Sequence, residues 1–128
     1  MSRFCTGYGK GCRCFRATRL IRCYANGTTY GSDGTIHIDS KSDRGFTSVY
    51  YSHPAWYPRW AGETVIFNDD KSDIVASVYP KPNRLVVFAG NAPHVARGVS
   101  RTCPVLRVTL MFKTLAQSHR GGLDRRGA

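Results

Sequence analysis

The chain has 128 residues, with 19 Lys and Arg against 8 Asp and Glu, for a formal charge of +11. That length supports a single domain with a modest core, and no stretch is apolar enough for a helical membrane span or a signal-peptide core, so no membrane partner is expected. The positive charge sits mostly at the ends: residues 1–32 carry six basic and no acidic side chains, while 33–112 carry nine basic and seven acidic, so a nucleic-acid interface is not expected either.

Residues 1–18 mix Gly, Cys and Arg without periodicity and form an irregular basic segment. A strand follows over 19–24, then turn signals at Asn26-Gly27 and Ser32-Asp33-Gly34. Short runs rich in Val, Ile, Thr, Tyr and Phe predict strands over 35–39, 46–51, 62–68, 73–79, 84–88, 94–99 and 105–112. All six prolines fall between these strands. Segment 113–119 is short enough for one helical turn, and the basic tail from 115 to 128 is expected to be disordered. Eight short strands joined by turns predict an all-β jelly-roll barrel, not an α/β fold.

Two histidines and a carboxylate stand out: His37 and Asp39 in an H-x-D pair, and His94 55 residues after Asp39. In extended chain, residues two apart leave on the same face. Two imidazoles and one carboxylate are the donor set that holds non-haem Fe(II) with coordination positions open. The competing reading is a surface Asp beside two structural histidines. The five cysteines, Cys5, Cys12, Cys14, Cys23 and Cys103, are odd in number, which predicts reduced thiols and a cytoplasmic setting. Cys5, Cys12 and Cys14 lack the paired spacing and the fourth ligand of a zinc site.

Around the H-x-D pair lie Cys23-Tyr24-Ala25-Asn26-Gly27, Thr47-Ser48-Val49-Tyr50-Tyr51, Ala61-Gly62-Glu63-Thr64-Val65-Ile66-Phe67, Pro82-Asn83-Arg84-Leu85-Val86-Val87-Phe88 and Arg107-Val108-Thr109-Leu110-Met111-Phe112. In order and spacing these blocks resemble the catalytic core of the prolyl-hydroxylase-like Fe(II)/2-oxoglutarate dioxygenases, over residues 19–114. The resemblance implies a double-stranded β-helix with iron at its open end. It also implies 2-oxoglutarate and O₂ as co-substrates, ascorbate as a further requirement, and hydroxylation of a peptide side chain, an amino acid or another small molecule.

A buried dicarboxylate needs a cation. Arg107 is the candidate anchor, with Thr109 two residues on as a hydroxyl donor; together they match the R-x-S/T pattern of the family's last strand. Arg101 competes for that role. Tyr24 and Tyr51 look like the family's pocket tyrosines, whereas Gly62 and Glu63 match a family block, with Glu63 expected as a strand-surface or rim residue and not a catalyst. The aromatic loop from His53 to Trp60 is expected at the barrel mouth, as a substrate contact or as simple loop packing; His119 has no partner spacing. Family members place helices ahead of the barrel, and residues 1–18 show no helical pattern. One sheet face is therefore expected to stay open, with self-association through it or low stability. The rival readings are a degenerate barrel that only binds, distinguished by absence of turnover, and a basic nucleic-acid-binding barrel, distinguished by salt-dependent affinity without metal binding.

Overall fold

The computed structural model describes residues 4–6 and 18–118. It contains eight strands: β1 (Phe4–Thr6), β2 (Thr18–Thr28), β3 (Gly45–Tyr51), β4 (Thr64–Phe67), β5 (Ile74–Val78), β6 (Leu85–Ala89), β7 (His94–Ala96) and β8 (Arg107–Ala116). The only helical element among the described residues is a 3-10 turn at Pro58–Trp60. All pairings are antiparallel. They build a five-stranded sheet in the order β1-β6-β3-β8-β2 and a three-stranded sheet in the order β5-β4-β7.

Alternation decides what each sheet buries. Along β3, Thr47, Val49 and Tyr51 point inward, and along β8 Arg107, Thr109 and Met111 do the same. The main core joins the two sheets through Val49, Tyr51, Val86, Phe88 and Met111 on one side and Ile66 and Val78 on the other. Two facing antiparallel sheets with an open end between them form the expected double-stranded β-helix.

Four local expectations are corrected. The turn expected at Asn26-Gly27 is absent, because β2 runs through it with Asn26 opposite Thr109 and Gly27 opposite Val108. Gly27 is there for space: a Cβ would stand 2.7 Å from Leu106 Cδ2. The helical turn expected after 113 is instead the end of β8. Its backbone is paired on both sides, by β2 and by β3, which leaves no donors or acceptors free for a helix. Residues 35–39 form no full strand, only one antiparallel bridge between His37 and His94. Within the irregular N-terminal segment, β1 adds to the edge of β6 with Cys5 opposite Val87. Cys12, Cys14, His119 and the tail from 119 onward lie outside the described residues.

Candidate metal and co-substrate site

The His37–His94 bridge brings the H-x-D segment to the edge of β7. The two residues exchange backbone hydrogen bonds of 3.1 and 2.9 Å, and the Asp39 amide donates to the Gly90 carbonyl at 2.8 Å. Extended backbone at His37 and Asp39 then turns both side chains towards His94. Their ligand atoms and that of His94 all lie within 4.8 Å of one another. Asp39 Oδ1 is 3.4 Å from His37 Nε2, and Asp39 Oδ2 is 3.2 Å from His94 Nε2.

Each imidazole is oriented by its own backbone. His37 Nδ1 lies 2.8 Å from the Thr35 carbonyl and His94 Nδ1 lies 2.9 Å from the Ala92 carbonyl. A carbonyl only accepts, so Nδ1 must carry the proton. In the neutral ring, Nε2 is then a lone pair aimed at the carboxylate. Lone pairs and carboxylate oxygens repel at this range unless a cation, either a proton or a metal ion, sits among them. The arrangement therefore fits a divalent metal, with the outer hydrogen bonds that ligating histidines ordinarily make.

Asp39 has two further partners. Thr47 Oγ1 donates to Oδ2 at 2.6 Å, and Lys113 Nζ makes a close ion pair with the same oxygen while standing 3.3 Å from Thr47 Oγ1. Burial alone would raise the Asp39 pKa. The nearby His94 ring and the hydrogen bonds from Lys113 and Thr47 outweigh it and hold the carboxyl well below the usual carboxylate range.

A cavity of about 280 Å³ opens beside the triad, its lining shared by His37 and His94 with Thr64, Arg107 and Thr109. Arg107 is only 2% exposed. Its Nε donates to the Gly62 carbonyl at 2.7 Å and its Nη2 to Thr64 Oγ1 at 3.1 Å, with Tyr51 packed against it, its ring centroid 5.4 Å from Cζ. Burial lowers the Arg107 pKa. Among the described residues no carboxylate forms an ion pair with it. The half-buried Glu63 acts on it only from beyond ion-pair distance; a buried guanidinium with so weak a counter-charge is costly, and a carboxylate entering the cavity lowers that cost. Arg101 is exposed, away from the cavity lining.

Thr109 and Tyr24 line the cavity. Tyr51 does not; it is fully buried, its hydroxyl 2.6 Å from Thr64 Oγ1, and it reaches the cavity through Thr64 and Arg107. Gly62 adopts φ +84°, and a Cβ there would stand 3.1 Å from Arg107 Cδ. Glu63 is half-buried beside it, outside the cavity lining. No residue of the aromatic loop from 53 to 60 lines the cavity; Trp56 and Trp60 are buried with Val99, which is loop packing. His53, 5% exposed, stacks on Trp56 at 4.4 Å, and neither of its ring nitrogens has a partner.

Sequence reasoning missed Thr47, Thr64, Lys113 and the inward turn of His53. The signal for Lys113 was present: it follows Arg107, Thr109 and Met111 at period two on one strand face.

The family model for the 2OG-Fe(II) oxygenase superfamily matches residues 21–113. Similar solved structures include a prolyl-4-hydroxylase from Pseudomonas putida, with 24% identity, a TM-score of 0.60, and coverage of 75% of this chain and 51% of that one. A Trichoplax adhaerens prolyl hydroxylase, solved with a hypoxia-inducible-factor oxygen degradation domain peptide fragment, gives 18%, 0.60, 76% and 44%. A 2OG-Fe(II) oxygenase family oxidoreductase from Burkholderia pseudomallei gives 20%, 0.64, 79% and 46%. The chain thus spans about half the length of these relatives. No curated protein matches. With the family match covering most of the chain and the solved structures sharing its fold, the chain belongs to the 2OG-Fe(II) oxygenase superfamily.

Proposed function

We propose that the chain is an Fe(II)- and 2-oxoglutarate-dependent dioxygenase that hydroxylates a peptide side chain, an amino acid or another small molecule. The observation that carries this reading is one cavity lined both by the two histidines of the His37–Asp39–His94 cluster and by a buried guanidinium with no ion-pair partner among the described residues. That is the layout a dicarboxylate chelating at one end requires. His37, Asp39 and His94 would hold the metal, with both imidazoles kept in the Nε2-ligating tautomer by Thr35 and Ala92. Arg107 would bind the distal carboxylate, its guanidinium held in place by Gly62 and Thr64. Thr109 adds a hydroxyl on the same strand face, and the Tyr24 ring forms part of the wall. The bound iron would supply activation of O₂, coupled to oxidative decarboxylation of 2-oxoglutarate; the protein binds, orients and shields the reactants. Ascorbate belongs to the same reading as an auxiliary reductant, and the odd cysteine count supports a reducing, cytoplasmic setting.

The test is anaerobic titration of the purified chain with Fe(II) and 2-oxoglutarate by calorimetry, followed by a succinate assay on admitting O₂. The expected result is one metal and one 2-oxoglutarate per chain, with slow succinate formation even without a substrate and a faster rate with ascorbate. A folded chain that binds neither overturns the reading.

A further inference from the structure

The co-substrate layout leaves one charged side chain in the cavity unexplained. Lys113 lies on β8, on the inner face that carries Arg107, Thr109 and Met111, and it lines the cavity near His37. Directly opposite it on β2 is Arg22, and Tyr24 is two residues further along the same face. Two cations lie over the Tyr24 ring: Arg22 Cζ is 5.0 Å from its centroid and Lys113 Nζ is 6.0 Å from it. Tyr24 and Lys113 are half-buried and Arg22 is exposed. The cluster therefore runs from the metal-binding end of the cavity out to solvent.

Charge balance says what such a cluster is for, given the reading proposed above, on which this inference rests. With the site loaded, Glu63 acts on Arg107 from outside the cavity lining, and the distal carboxylate of 2-oxoglutarate answers Arg107 directly. Lys113 has one ion-pair partner among the described residues, Asp39, which a bound metal would share. Its ammonium has three donors, of which Asp39 and Thr47 take two. Arg22 adds a second cation at the same rim. Two like charges gathered around one aromatic wall, one half-buried in the cavity lining and one exposed, are stabilised by an incoming anion.

We propose that the primary substrate carries a carboxylate, received by Lys113 and Arg22 across the face of Tyr24, so that the adjacent carbon is presented to the metal-binding end of the cavity. Arg107 selects the co-substrate; Lys113 and Arg22 select the substrate. A neutral ligand of the same shape offers these cations no further charge partner and binds more weakly.

The test uses the chain loaded with Mn(II) and saturating 2-oxoglutarate, without O₂. A panel of N-acetyl amino acids is titrated against the matching N-acetyl amino acid amides by ligand-observed NMR. The expected result is at least one acid that binds about 10-fold or more tightly than its amide, with that preference lost in R22Q and in K113M. R22Q lies on an exposed strand position away from the metal cluster and from Arg107, so it carries the test even where K113M alters folding or metal binding. No acid preferred over its amide, or a preference that survives R22Q unchanged, overturns the proposal; the second result would place the acid at Arg107. Failure of Mn(II) and 2-oxoglutarate to bind at the outset is a different result, which removes the dioxygenase reading and this inference with it.

Discussion

Single side chains in this site fall into distinct thermodynamic roles that mutation separates. Arg107→Ala is expected to raise the apparent 2-oxoglutarate requirement about 100-fold, since it removes a charge-assisted anchor, while Mn(II) affinity stays within about 3-fold. Arg101→Ala, at an exposed position, should change neither; the reverse pattern in a paired titration would transfer the anchor to Arg101. Thr47 acts one layer out, by its hydrogen bond to Asp39 Oδ2. Thr47→Val should weaken metal binding by about 10-fold without abolishing it, measured by competition with a chromogenic chelator. His53 concerns stability. Burial, and then the Arg107 guanidinium, lower its pKa from 6.5. Below about pH 6.5 the unfolded chain therefore binds a proton that the folded chain resists, and stability falls as the pH falls through that window. Urea denaturation between pH 7.5 and 5.5 should show His53→Phe losing less stability than the parent; parallel losses would count against this assignment.

At the scale of elements, the entry into β4 shapes the co-substrate end. Ala61 (φ +56°) and Gly62 (φ +84°) turn the chain so that the Gly62 carbonyl meets Arg107. Gly62→Ala is expected to cost about 1–3 kcal/mol of stability and to weaken 2-oxoglutarate binding, because the added Cβ presses on Arg107 Cδ. Denaturation together with co-substrate titration would show both losses. How far the elements were legible in the sequence follows from what fixes them. β3 and β8 announce themselves by strict alternation, which is a local property, and the H-x-D pair was legible because extended chain aligns i and i+2. The course of β2 through Asn26-Gly27 was not, since pairing with β8 along its length overrides a local turn preference. The bridge at His37 depends on a partner more than fifty residues away. Loop 53–60 carries no periodicity to say which way it folds. It packs inward because Trp56 donates its indole N–H to the Ala61 carbonyl at 2.9 Å and stacks with His53.

For the molecule as a whole, the outward sides of β3 and β8 leave Phe46, Tyr50, Leu110 and Phe112 partly exposed next to one another in the sheet. Contiguous apolar surface of this kind favours association. Sedimentation across a dilution series is expected to show concentration-dependent self-association of the parent chain, reduced in L110K/F112T; a parent that stays monomeric throughout would exclude it. The two histidines of the candidate metal cluster also differ in a way that governs how the site comes apart. His94 is 5% exposed at its side chain and packs edge-on against Phe88 at 4.7 Å, whereas the His37 side chain is 52% exposed, on a segment that is solvent-facing from Thr29 to Ile38. One ligand belongs to the cooperative core and the other to a strip attached by a single bridge. Segments of the second kind open far more often than the whole protein unfolds. Ions would thus enter and leave by detachment of the His37 strip, with His94 and Asp39 as the fixed jaw. Hydrogen exchange followed by mass spectrometry should show peptides spanning 30–39 slowing markedly when Mn(II) is added, while those spanning 92–96 are slow already. The exchange lifetime of the metal would then be set by the fraying of nine or ten residues, not by the stability of the barrel.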